Sequence, residues 1–172
     1  MTASVVEFRV SFISVDPPCD DRVGALREWC RRLAEHGLTP LLGGEGRSLG
    51  NLSFRVVPGR PGFIITGSSL QSKGALTQSD FVEVVDCDPD LGVVFAAGAR
   101  DPSSESFLHH AIYAQRQDVG AVFHGHDAEI VDNAARLGIP ETAVPQPPRS
   151  LRLAREVAKI LHQGDFLVMK EH

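Results

Sequence analysis

The chain has 172 residues and a formal net charge of −5, a length suited to one domain, 1–172, whose core needs no disulfide staples. Its 42% hydrophobic and 23% charged residues exclude wholesale disorder. The mild acidity argues against a nucleic-acid binder, and no run approaches the ~18 apolar residues of a membrane span.

The N-terminus MTASVVEFRV has no basic segment ahead of an apolar one, so no secretory signal is read. The opening VVEFRVSFISV is β-branched and aromatic and predicts a strand. Asp20 or Asp21 then offers an N-cap for a helix whose Val23, Leu26, Cys30 and Leu33 recur at helical spacing, with Gly37 as its C-cap. Residues 43–50, GGEGRSLG, hold four glycines and read as loop. Strands are expected at 52–57, 62–66, 81–86 and 92–97. Asp101-Pro102-Ser103-Ser104-Glu105 looks like a helix start, with either serine as cap and Glu105 as a first-turn acid. VGAVFHGH (119–126) predicts a buried strand, DAEIVDNAARLG a short helix ending at Gly138, and 140–148, with four prolines, a loop. Ser150 can cap a last helix closed by Gly164, and FLVMK predicts a final strand. Strands and helices mix without strict βαβ alternation, which indicates α/β or α+β with a sheet that need not be parallel. The cysteines, Cys19, Cys30 and Cys87, are odd in number and form no C-x-x-C pair. A reducing, cytoplasmic setting is the simplest reading.

His124 and His126 stand two apart on a strand, so both imidazoles point to one face. Such a pair can hold a divalent metal or can simply be hydrogen-bonded at a strand end. A catalytic zinc usually has three protein ligands. His36, His109, His110, His162 and His172 are all candidates for the third, and spacing does not choose among them. Glu105 reads as a routine helix-start acid or as a general base tuned by burial and a metal. Gly50-Asn51 and Thr66-Gly67-Ser68-Ser69 read as turns that could cradle a phosphate.

GNLSFR (50–55), GFIITGSSLQSKGALTQSDFV (62–82), PSSESFLHHAIYAQRQDVGAVFHGH (102–126) and FLVMKEH (166–172), in that order, resemble the class II aldolase/adducin family, as a short variant of its fuculose-phosphate aldolase-like members. The resemblance implies a three-layer α/β fold with a largely antiparallel central sheet flanked by helices. It also implies a homotetramer with sites between subunits. His124, His126 and His172 match the zinc ligands, and another divalent transition metal is equally compatible with three imidazoles. Glu105 matches the acid-base glutamate. Gly50, Asn51, Ser68, Ser103 and Ser104 match positions that bind substrate phosphate.

The activity implied is metal-dependent retro-aldol cleavage of a small phosphorylated ketose through an enediolate. A sugar-phosphate dehydratase resembling the methylthioribulose-phosphate branch is the second reading, with which Lys73 in SKG is compatible. A non-catalytic adducin-like module is the third. Two departures bear on the choice. Family aldolases carry an acid tyrosine in the loop after the second helix, and 139–144 has none. The only tyrosine, Tyr113, falls in a helix and is expected to pack. Ser69 stands where a glycine is usual.

Overall fold

The computed structural model describes residues 8–44 and 46–172. The elements run β1 (Arg9–Ser14), α1 (Val23–Glu35), β2 (Asn51–Arg55), β3 (Phe63–Thr66), β4 (Phe81–Asp88), β5 (Val93–Ala97), α2 (Ser106–Gln115), β6 (Ala121–His124), α3 (Ala128–Leu137) and α4 (Leu151–Ile160). Six strands form one sheet in the order β1-β5-β4-β3-β2-β6. Among the described residues only β1 pairs in parallel within the sheet, with β5; the other four strand pairings are antiparallel. The mixed α/β fold with a largely antiparallel sheet is therefore the one expected. Part of the opening strand, residues 5–7, lies outside the described residues.

Alternation along the strands divides the core into two faces. Leu52, Phe54 and Ile64 face one way and bury against Val23, Leu26 and Cys30 of α1. Phe63, Ile65, Val84 and Val94 face the other way and bury against Phe107 and Tyr113 of α2. Each such side chain contributes about 1.5–3 kcal/mol by leaving water. α4 forms a further layer over α2, with Leu153, Ala154, Val157 and Leu161 packed on Leu108, Ala111 and Ile112.

The helix ends follow local chemistry. α1 ends in a Schellman motif. Gly37 takes φ 73°, its N–H bonds Ala34 O at 3.1 Å, and Leu38 N–H bonds Leu33 O at 2.9 Å. Its N-cap is Arg22 and not either aspartate. Asp20 instead makes an Asx turn, its Oδ1 accepting from Arg22 N at 2.9 Å. Asp127 caps α3 and Ser150 caps α4, each accepting from the backbone N–H three residues on.

Two expected strands differ. β6 is an edge strand and not a buried one; Ala121 is exposed and Phe123 is 42% exposed. An apolar run shows that a strand packs well, but it does not show how many neighbours flank it. FLVMK makes no strand. Its only ladder contact is the bridge between Val168 and Glu141, because Val168 is drawn to the loop, donating to Pro140 O at 2.8 Å and accepting from Thr142 N at 3.0 Å. Among the described residues no helix is long and apolar enough to cross a membrane.

Candidate active site

The site begins where β2 and β6 run side by side. Asn51 is paired with His124 in the ladder, and just before it Gly50 adopts φ 73°. A Cβ on Gly50 would lie 2.5 Å from the carbonyl oxygen of His124, so glycine is required for the two strands to approach. Beyond the end of β6, His126 is held by its backbone N–H, which donates to Leu38 O at 2.8 Å. The His124 and His126 rings are 4.7 Å apart between centroids.

His172 arrives from the other end of the sequence. Its ring centroid lies 5.0 Å from that of His124 and 5.4 Å from that of His126, and one nitrogen from each of the three lies within 4.8 Å of the other two. Of the five candidates for a third partner, the fold brings this one to the pair. His36 stays at the end of α1, His110 lies 3.5 Å from Asp86, and His162 sits in a turn after α4.

The donor set suits a divalent transition metal. One atom makes the fit concrete: His124 Nε2 is buried with no hydrogen-bond partner, while His124 Nδ1 lies 2.6 Å from Glu105 Oε2. With the ring proton on Nδ1 and donated to the carboxylate, the Nε2 lone pair is left for a metal. Burial first, and then the neighbouring imidazoles, pull His126 down to about 4, which keeps its ring neutral and able to donate a lone pair.

Glu105 is 7% exposed and stands at the N-cap of α2, but its side chain caps nothing. The turn is closed by Ser103 instead, whose hydroxyl accepts from Glu105 N at 3.3 Å. The carboxylate is thereby freed to face the histidines. Oε2 accepts from Asn51 Nδ2 at 2.8 Å as well as from His124, and Oε1 lies 3.3 Å from His172 Nε2. Burial alone would raise its pKa, but the bonds from His124, His172 and Asn51 outweigh it and hold Glu105 well below the usual carboxylate range.

Of the residues matched to phosphate binding, Asn51 opens β2 and the others lie on loops joined by backbone bonds. Ser68 N donates to Asp101 O at 2.8 Å and Ser103 N to Thr66 O at 3.1 Å, which sets the 66–68 turn against 101–103. Ser48 N donates to Leu70 O at 2.7 Å, tying the approach to Gly50 and Asn51 to the same region. Lys73, 3% exposed, reinforces this seam. Its Nζ donates to Ser48 Oγ, Ser48 O and Leu49 O at 2.8, 3.2 and 3.0 Å. Ser104 is half-buried beside them, and Ser69, where a glycine is usual, takes φ 57°.

One group of buried polar residues was not anticipated as a unit. Asn51, Ser53 and Arg55 alternate onto one face of β2, and Glu105, His109 and Tyr113 recur every four residues at and along α2. The two stripes meet. Ser53 Oγ is 2.7 Å from His109 Nδ1 and 2.8 Å from Tyr113 Oη, and His109 Nε2 is 2.5 Å from Asn51 Oδ1. Arg55 lies 4.6 Å over the Tyr113 ring. The two periodicities were the available signal. A cavity of about 720 Å³ adjoins the site, with His124 and His172 in a wall otherwise dominated by apolar side chains such as Leu108, Ile112, Val157 and Met169.

The family described as Class II Aldolase and Adducin N-terminal domain matches residues 25–172. The chain belongs to this family. Within the class II aldolase/adducin family it is 34% identical, over 101 residues, to a methylthioribulose-1-phosphate dehydratase of Leptospira biflexa, a stretch covering 58% of this chain and 47% of that protein. It is 41% identical, over 85 residues, to a 5-methylthioribulose-1-phosphate/5-deoxyribulose-1-phosphate aldolase of Rhodospirillum rubrum, covering 49% of this chain and 34% of the relative. The chain thus spans less than half the length of either. Solved structures share the fold: YgbL from Klebsiella pneumoniae, with a TM-score of 0.65 at 18% identity over 87% of this chain and 74% of that one, and an L-fuculose 1-phosphate aldolase from Glaciozyma antarctica, with a TM-score of 0.57 at 20% identity over 91% and 66%.

Proposed function

We propose that this protein is a metal-dependent lyase acting on a small phosphorylated ketose, with zinc held by His124, His126 and His172 and Glu105 as the acid-base group. The observation that carries this reading is the wiring of Glu105. Its Oε2 is occupied by Asn51 and His124, while Oε1 faces the three-histidine set through His172. Bound there, the metal would supply Lewis-acid polarisation of the ketose carbonyl and its neighbouring hydroxyl. Glu105 is held as a carboxylate, and Oε1, the oxygen turned toward the histidines, is the one placed to accept a proton from the carbon beside the carbonyl. Backbone and hydroxyl donors at Gly50, Asn51, Ser68, Ser103 and Ser104 would hold the phosphate.

The same proton transfer serves aldol cleavage and dehydration. One observation favours dehydration: Tyr113 is 0% exposed with its hydroxyl bonded to Ser53, and 139–144 has no tyrosine, so this chain offers no phenol to the leaving aldehyde. The apolar cavity and the names of the relatives make methylthioribulose-1-phosphate the first substrate to try. The setting we infer is a cytoplasmic homotetramer, which sedimentation of the purified protein would test.

The decisive experiment is metal analysis followed by a product assay on methylthioribulose-1-phosphate and fuculose-1-phosphate. We expect one metal per chain, lost in His124→Ala, and release of water without C–C cleavage from the first substrate. Stoichiometric metal retained in a His124→Ala, His126→Ala double variant would overturn the ligand assignment. Full turnover by Glu105→Gln would overturn the role of Glu105, which is expected to supply about 10²–10⁴-fold of the rate.

A further inference from the structure

The polar seam between β2 and α2 is buried far beyond what packing two apolar surfaces requires. Ser53, His109 and Tyr113 are each 0% exposed, and a buried polar group that is not bonded costs about 1–3 kcal/mol. Every one of them is bonded, and the chain of bonds leads to Glu105. We propose that Tyr113, Ser53 and His109 are positioning residues that act through Asn51, forming a one-way hydrogen-bond chain in which each group donates toward Glu105 and so fixes which carboxylate oxygen is turned to the three histidines. This inference rests on the role given to Glu105 above.

The direction follows from the chemistry of each group. Glu105 Oε2 can only accept, so Asn51 must present its NH₂ there, at 2.8 Å. That orientation turns Asn51 Oδ1 to His109 Nε2, 2.5 Å away, and Oδ1 can only accept. The Nε2 atom of His109 therefore carries the ring proton. Complete burial pulls His109 down to about 3, so the ring is neutral and Nδ1 has no proton. Nδ1 must then accept from the Ser53 hydroxyl at 2.7 Å. With its proton committed to His109, Ser53 Oγ accepts from the Tyr113 phenol at 2.8 Å. Burial raises that phenol to about 12, which keeps its proton in place.

Reversal at any link propagates to the last one. An Asn51 amide turned the other way would set its carbonyl against the carboxylate, a repulsive contact. His109 prevents this by fixing the amide, and Ser53 with Tyr113 prevents the other tautomer of His109. Glu105 then keeps Oε2 saturated by Asn51 and His124 and leaves Oε1 turned to His172. A network that served stability alone would not need a fixed polarity.

The test is a nitrogen spectrum of the full chain with ¹⁵N-labelled histidine. At neutral pH we expect His109 to carry its proton on Nε2 with Nδ1 unprotonated, and Ser53→Ala to shift the Nδ1 resonance of His109. A proton on Nδ1 would overturn the chain. In metal-loaded protein turning over methylthioribulose-1-phosphate, His109→Leu should lower kcat about 10- to 100-fold with KM little changed. His109→Gln, which keeps a donor near the Nε2 position, should recover most of the loss. Folded His109→Leu and Ser53→Ala proteins, verified by melting, that keep wild-type kcat would also overturn it. If the wild-type protein turns over nothing, the lyase reading falls, and the nitrogen spectrum still decides the chain.

Discussion

Lys73 is a cation buried under the loop that leads to Gly50 and Asn51, bonded to two carbonyls and a hydroxyl. Among the described residues no carboxylate lies within 4.0 Å of it. Burial pulls it from its ordinary 10.5 to about 8, partly opposed by the carboxylate of Glu105. Below pH 8 both folded and unfolded chains hold the proton. Between 8 and 10.5 only the unfolded chain does, so stability rises with pH across that window, by at most about 1.4 kcal/mol per unit. Cys30 and Cys87, raised from 9.0 to about 12, and Tyr113, raised from 10.0 to about 12, work in the opposite sense from pH 9 and 10 upward and so overlap the lysine window. Lys73→Met isolates the lysine: urea midpoints should show wild type gaining on the variant as pH rises through the window, and a constant difference would refute the shift. Gly50 acts at the same scale through shape. Gly50→Ala should cost about 2 kcal/mol or more, since it combines a left-handed φ with a Cβ driven into the His124 carbonyl. A urea midpoint unchanged from wild type would show that β2 and β6 can separate there without loss.

Between elements, the strongest local tie is Arg55. Its guanidinium leaves β2 and reaches four carbonyls, those of Val119, Arg60, Tyr113 and Arg116, at 3.1, 2.6, 2.8 and 2.8 Å. Two of these belong to the last turn of α2, where a cation also meets the negative end of the helix dipole. Arg55→Met removes the side-chain donor from all four carbonyls, the one from Tyr113 O being fully buried, and should lose about 3 kcal/mol by chemical denaturation. Arg55→Lys should recover only part, because one ammonium cannot span a planar five-donor fork. These elements also show what a sequence can and cannot reveal. The Gly37 and Gly138 stops were legible from single residues, whereas the polar faces of β2 and α2 carried periods of two and four that were not joined into one unit. The inward turn of Glu105 was not legible, because Asp, Glu and Ser at a helix start satisfy the dipole equally well whichever way the carboxylate points. The edge position of β6 was hidden because an apolar run reads alike on an edge and in the middle of a sheet; here Phe123 stays 42% exposed although Trp29 of α1 packs against its ring, centroids 5.6 Å apart. The third histidine was hidden because five imidazoles have the right chemistry, and only the closure of the chain selects one.

That closure has a consequence for the molecule as a whole. His172 reaches the site on residues 164–172, which lie outside the sheet and are held to the 140–142 loop by few backbone bonds: Val168 to Pro140 O, Thr142 to Val168 O, and Lys170 N to Thr142 Oγ1. Glu171 turns the chain inward with φ 53°. His124, by contrast, is anchored in the ladder and His126 by its bond to Leu38. A metal shared by all three would add a cross-link between the sheet and this segment, whose Leu167 and Met169 pack on the α2–α4 cluster. Binding to the folded state alone stabilises it by RT ln(1 + [L]/Kd), about 2.7 kcal/mol at a hundredfold excess over Kd. Zinc should therefore raise the melting temperature, and hydrogen exchange should slow most at the amides of 166–171, with little change in β3 or β4, which are buried already. A chelator should reverse both effects. His172→Ala should keep weak zinc binding at the remaining pair yet lose the protection of 166–171. Equal protection of that segment by zinc in wild type and His172→Ala would show that the last histidine is held by packing and not by the metal.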